Sequence, residues 1–211
     1  MTNSTKELQA LLRTDLRSFI QKSFHTVSPG VTFLDNWHIA AVAFAIEQCI
    51  EGDINRLVIS LPPRYLKSLC VTVALPAFLL GLDPTAKIIC ASYSKELAEK
   101  HAADSQLIIE SDWYRHVFPK THQSLKKVTQ SEIATKQNGF RLATSVGGTL
   151  TGRGGNVLII DDPHKADEAQ SDAKRQSVLD WFERTAATRL DDSKNSFVII
   201  IHQRLHQADL A

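Results

Sequence analysis

Four short runs, "RLVIS" (56–60), "KIICAS" (87–92), "NVLIID" (156–161) and "NSFVIII" (195–201), constrain this chain most. Each is apolar on both would-be faces of a strand, so each has to be covered on both sides. The segments between them supply the cover. "KSLCVTVALPAFLLG" reads as a helix closed by Gly81, "SKELAEKHAADSQLIIES" as a helix capped near Ser94, and "EAQSDAKRQSVLDWFERTAATRL" as a long helix. Upstream, Leu8, Leu11, Leu12, Leu16 and Phe19, then Ile39, Val42, Ala43, Ile46 and Ile50, recur at helical spacing and predict two helices joined by "HTVSPGVTF". "KKVTQSEIATKQNGFRLATS" predicts a hairpin turning at Asn138-Gly139, and "GGTLTGRGG" a glycine-rich loop. Buried strands alternating with helices imply an α/β fold with a mostly parallel sheet.

Composition narrows the class without choosing a function. The 211 residues are 43% hydrophobic and 22% charged, which fits one soluble globular domain with a sizeable core. A formal charge of +1 sets up no global field toward nucleic acid, so any contact with it has to come from local patches. Lys126-Lys127, Arg115-His116 and Lys95 with Lys100 are such patches, and solvated faces explain them equally well. Cys49, Cys70 and Cys90 lie in apolar runs without a CxxC pair, as buried thiols of a reducing cytoplasm do. No run approaches the ~20 apolar residues of a membrane span, and the first residues lack a signal-peptide core, so a cytoplasmic location is expected.

The chemistry concentrates in two places. "LPPRYLKS" (61–68) follows a strand and opens a helix with Lys67-Ser68. That arrangement aims backbone N–H groups and a helix dipole at phosphates, with a lysine for the β/γ oxygens and a serine hydroxyl for Mg²⁺. It departs from GxxxxGK[ST] at both glycines, where Leu61 and Leu66 stand, so helix capping and a solvated charge remain an alternative for the pair. Downstream, "NVLIIDDP" ends an apolar strand in two carboxylates. In a triphosphatase the first, Asp161, serves the metal and the second, Asp162, the attacking water; the alternative is a strand end before a turn. A shared Mg²⁺ predicts the strand at 56–61 beside the strand at 157–161. His202 and His206, four apart at a strand end, lack the acid and the third ligand of a metal pair.

Taken together these segments resemble the large terminase subunit of tailed bacteriophages, the ATPase that packages DNA into procapsids. "LPPRYLKS" is similar to that family's variant phosphate loop, PPR-x-x-KS. "GGTLTGRGGNVLIIDDPHKADEA" resembles its glycine-rich loop and Walker B strand, and "VIIIHQRLHQADLA" its coupling motif. The resemblance implies a P-loop NTPase of the ASCE type, with residues 1–50 an N-terminal helical segment of the same domain as a core at 51–211. It implies ATP and Mg²⁺ as cofactors, held by Pro63, Arg64, Tyr65, Leu66, Lys67 and Ser68. Trp37 with His38 lies near the base, and Ser68 and Asp161 at the metal. The catalytic set it implies is Asp162, Arg64, Gln203, Arg204 and, acting from a neighbouring subunit, Arg153. The implied partners are double-stranded DNA, a small terminase subunit, a portal protein and further copies of the chain in a ring, with no membrane. Such subunits continue past the coupling motif into a nuclease, whereas this sequence stops at Ala211, so a truncated core without nuclease is expected. An inactive remnant serving as a nucleotide-binding or interaction module, and a helicase-like ATPase, are the alternatives.

Overall fold

The structure, a computed structural model, describes residues 3–150, 152–192 and 196–210; Thr151 of the glycine-rich loop, Asn195 at the expected start of the last strand and Ala211 lie outside the described residues. In chain order the elements are helices α1 (Asn3–Thr14), α2 (Leu16–Val27) and α3 (Trp37–Glu51), then strand β1 (Arg56–Ser60). A helical segment over 67–82 follows, π-wound at Leu69–Ala74 and α-helical as α4 (Leu75–Leu82). Next come β2 (Lys87–Ser92), α5 (Lys95–Glu110), α6 (Asp112–Val117) and α7 (Pro119–Ser124). The chain ends with β3 (Leu125–Val128), β4 (Glu132–Thr135), β5 (Phe140–Ser145), β6 (Val157–Asp161), α8 (Asp172–Trp181) and β7 (Phe197–His202).

All seven strands join one sheet in the order β1-β7-β6-β2-β5-β4-β3. From β1 to β5 every pairing is parallel, while β5-β4 and β4-β3 are antiparallel. The expected α/β class with a mostly parallel, helix-covered sheet is what the structure has. Alternate residues of the central strands divide between two cores. Ile88, Cys90, Val157, Ile159, Ile199 and Ile201 pack with α1–α4, whereas Ile89, Ala91, Leu158, Ile160, Val198 and Ile200 pack with Trp181 and Ala186. Phe19 of α2 is fully buried, with its ring 5.1 Å from Phe78 and 5.4 Å from Trp113, between centroids, and Tyr114 and Phe118 close behind.

Four local expectations need correction. The strand at 56–60 is not beside the strand at 157–161, because β7 lies between them and pairs with both. Nor is β1 buried on both faces: it is the sheet's edge, and Val58 is 51% exposed. An apolar run alone does not distinguish a central from an edge strand. The first apolar stretch is two helices, since Asp15 leaves helical geometry and its carboxylate accepts from Ser18 N at 2.7 Å, capping α2. Gly81 does not end its helix, which runs on to Leu82. It is small because a Cβ there would lie 2.6 Å from the Phe118 ring.

The 138–139 turn is where expected, with Asn138 left-handed at φ 66° and β4 and β5 antiparallel on either side. Gly139 presses against the backbone of the β2 approach, where an added Cβ would sit 2.2 Å from the Pro84 carbonyl oxygen. Backbone cannot yield as a side-chain tip can. Gly139→Ala is therefore expected to cost about 1–3 kcal/mol in urea unfolding, on the scale of overpacking; a change within error would show that the turn shifts freely.

Candidate functional site

The site forms at the carboxyl ends of β1, β7 and β6, where parallel strands feed loops and helix N-termini. From Ser60 the chain arches over the end of β7, with Leu61 N donating to the His202 carbonyl at 3.1 Å. Two residues then turn left-handed without being glycine, Arg64 at φ 69° and Leu66 at φ 59°. Each costs on the order of 1 kcal/mol or more. Leu66 makes up part of that by packing against the main core. The late glycine of the usual loop is thus absent as a residue but present as a backbone conformation.

This arch delivers Lys67 and Ser68 to the two acids across the intervening strand. Lys67, 7% exposed, places Nζ 2.8 Å from Asp162 Oδ2. Ser68 Oγ donates to Asp161 Oδ1 at 3.2 Å. Asp161 is fully buried, and its other oxygen, Oδ2, accepts from Thr72 Oγ1 at 2.8 Å with His101 Nδ1 at 3.4 Å. Asp162 is left-handed at φ 44°, and its Oδ1 accepts from the backbone N of Gln203 at 2.9 Å. Burial pushes the Asp161 carboxyl up to about 6, against the Thr72 hydrogen bond and with help from the Asp162 charge. Burial, with the charges of Arg141 and Lys100, drops the His101 imidazole to about 4.

Two cavities flank the loop. One, of about 250 Å³, lies between it and α5 and is lined by Arg64, Lys67, Ser68, Lys100, His101 and Asp104. The other, of about 300 Å³, is lined by Leu34, Asn36, His38, Ile39, Arg64 and Tyr65 among others. In it the His38 and Tyr65 rings lie 5.3 Å apart, and His38 Nε2 is 3.3 Å from the Tyr65 carbonyl oxygen. Trp37 is not part of this lining: it is 79% exposed, with its ring perpendicular to that of His38, 6.4 Å away between centroids.

The expected residues therefore divide. Pro63, Arg64, Tyr65 and Leu66 form the arch, and Lys67, Ser68, Asp161 and Asp162 converge, with Gln203 joining through its backbone N–H. Arg204 turns into its own segment, Nε 3.4 Å from Asp209 Oδ1 and Nη2 donating to the Gln207 carbonyl at 3.1 Å. Arg153 lies with Lys87 and Phe140 at the amino-terminal ends of β2 and β5, the opposite end of the parallel strands from the site. There Nη1 is 2.8 Å from Glu132 Oε1 and the guanidinium sits 5.4 Å from the Phe140 ring centroid. Burial pushes Glu132 up, but its hydrogen bonds to Lys127 and Arg153 outweigh that and hold it low. The other patch cations are mostly paired within the chain, Lys95 with Glu99, Lys100 with Asp104 and Arg115 with Asp112. The three thiols are free and buried, which pushes Cys49 up to about 11 and Cys70 to about 12.

Sequence reasoning missed Thr72, His101 and the His202–Ser60 contact, Nε2 to Oγ 2.8 Å, that ties β7 to the start of the arch. Thr72 carried a weak signal, since it follows Ser68 by four residues on one helical segment. His101 carried none, because α5 meets Asp161 only in the folded chain.

No family model matches the chain, and no curated protein does. Among solved structures, the crystal structure of the HK97 bacteriophage large terminase matches it with a TM-score of 0.58 and 15% sequence identity, over 94% of this chain and 39% of that one. At that identity the likeness is one of fold, and it agrees with the resemblance read from the motifs. The chain spans about two fifths of the length of the chain it matches.

Proposed function

We propose that this chain binds and hydrolyses ATP as the ATPase part of a terminase-like motor that packages viral double-stranded DNA. The observation that carries the reading is the convergence of Lys67, Ser68, Asp161 and Asp162, from two segments more than ninety residues apart, at the carboxyl end of a parallel sheet. The Ser68 hydroxyl and the Asp161 carboxylate are hard oxygen donors side by side, as Mg²⁺ requires, and the ion would neutralise charge on the β- and γ-phosphates. Lys67 then turns from Asp162 to the phosphate oxygens, a small displacement for a side chain with four rotatable bonds. That frees Asp162 Oδ2 to accept the proton of the attacking water, while the Gln203 N–H keeps the carboxylate aimed. The cavity bounded by His38 and Tyr65 offers an aromatic wall and an Asn36 side chain for the base.

Arg153, remote from Lys67 in its own chain, would reach a phosphate only across a subunit boundary, which suits a ring of copies acting on one another. The small terminase subunit, the portal protein and the bacterial cytoplasm enter this reading through the resemblance. No helix among the described residues is long and apolar enough to cross a membrane. The purified chain is expected to hydrolyse ATP only with Mg²⁺, and Lys67→Ala to abolish both hydrolysis and tight ATP binding. Nucleotide binding without any turnover in the unaltered chain would favour an inactive module instead.

A further inference from the structure

The structure assigns His101 as a positioning residue for Asp161: together with Thr72 it engages Oδ2, so that Oδ1, beside the Ser68 hydroxyl, is the oxygen left to meet a divalent cation. The assignment rests on the reading of Asp161 as the metal-side acid.

The two carboxylate oxygens of Asp161 stand in different surroundings. Oδ2 faces the inner side of the sheet cover, with Thr72 Oγ1 at 2.8 Å and His101 Nδ1 at 3.4 Å. Oδ1 accepts from the Ser68 hydroxyl, at 3.2 Å. A carboxylate with no exposure cannot be oriented by water, so its rotation is set by whichever donors surround it. Thr72 holds Oδ2 and Ser68 holds Oδ1; once the Ser68 hydroxyl and Oδ1 turn to a cation, Thr72 alone would leave the carboxylate free to swing about the Thr72–Oδ2 contact. The His101 imidazole, on a different helix and 3.4 Å from the same oxygen, can remove that freedom in its Nδ1–H tautomer by closing the remaining gap.

The imidazole fits this task. It is 6% exposed, and Nδ1 is buried with no hydrogen-bond partner among the described residues, standing a few tenths of an ångström beyond a good hydrogen bond to Oδ2. The ring also lines the cavity that holds Lys67 and Ser68, so it spans from the buried acid to the phosphate side. Behind Thr72, the buried Arg141 donates Nη2 to the Thr72 carbonyl at 3.4 Å, steadying the first donor from β5. Partners of this kind, one bond removed from a metal ligand, are worth roughly 10–100-fold in metal affinity.

The test is calorimetric binding of the non-hydrolysable analogue AMP-PNP, measured with Mg²⁺ and again with EDTA. His101→Ala is expected to reduce the enhancement by Mg²⁺ about 10-fold, over and above any loss of affinity seen in EDTA. His101→Asn, whose amide N–H can reach the Nδ1 position, is expected to restore most of that enhancement. Equal losses with and without Mg²⁺ in His101→Ala, or an Asn variant no better than Ala, would overturn the assignment and leave His101 a packing residue. No Mg²⁺ effect in the unaltered chain would instead overturn the nucleotide reading on which the assignment stands.

Discussion

Asp162→Asn is expected to lower ATP turnover by about 10²–10⁴-fold, the scale for removing a general base, while nucleotide affinity changes far less. The variant is a clean one for structural reasons. Asp162 sits at φ 44°, and asparagine is among the few residues that tolerate the left-handed region, so the backbone can stay as it is. The amide oxygen can still accept from Gln203 N, the contact that aims the side chain. What disappears is the charge that faces Lys67 and the capacity to take a proton. Steady-state phosphate release together with equilibrium nucleotide binding separates the two effects. Turnover within a factor of two of the unaltered chain would move the role to another carboxylate. Asp167 and Glu168 come next along the chain, but Asp167 pairs with Lys165 at 2.8 Å, and Glu168 lines a different cavity and pairs with Lys174, 3.5 Å away.

Phe19→Ala is expected to destabilise the whole chain by about 3–5 kcal/mol, at the upper end for a core aromatic. Phe19 has no exposure, and its ring touches rings from α4 and α6 as well as the Phe118 ring that follows α6. Truncation would therefore open a cavity where the N-terminal helices meet the cover of the sheet. Because both sides share that cavity, urea unfolding followed by intrinsic fluorescence should show a single transition moved to lower denaturant. A loss under about 1 kcal/mol, or a separate early transition, would show that the N-terminal helices contribute little to the core and fold on their own.

The parallel core was legible because β2, β6 and β7 are buried on both faces, and burial of that kind writes an unbroken apolar run into the sequence. The β1 run looks the same and yet lies at the edge, since apolar character records what a strand tolerates and not which neighbours it has. The helix break at Asp15 was missed for a related reason. The apolar spacing of α1 and α2 continues in phase, and the division is marked by the extended backbone of Asp15 and its carboxylate's bond to Ser18 N.

Within the site, residue chemistry was readable wherever it is local. Lys67-Ser68 after a strand and Asp161-Asp162 at the end of another stand out in the sequence, because the phosphate and metal chemistry proposed for them would need those groups at element ends. The α/β class and the order of these two segments along the chain were therefore readable before any fold was known. It took the folded chain to place β7 between them, to give Leu66 a backbone conformation normally left to glycine, to line the cavity with His38 and not Trp37, and to set Thr72 and His101 against Asp161. Arg153 and Arg204 show the same division. Their type suits a phosphate, but the ion pairs with Glu132 and Asp209 form between groups that only folding brings into place. Periodicity and motif spacing encode what a residue needs along its own chain; which distant group meets it depends on strand order and helix docking, which no local pattern records.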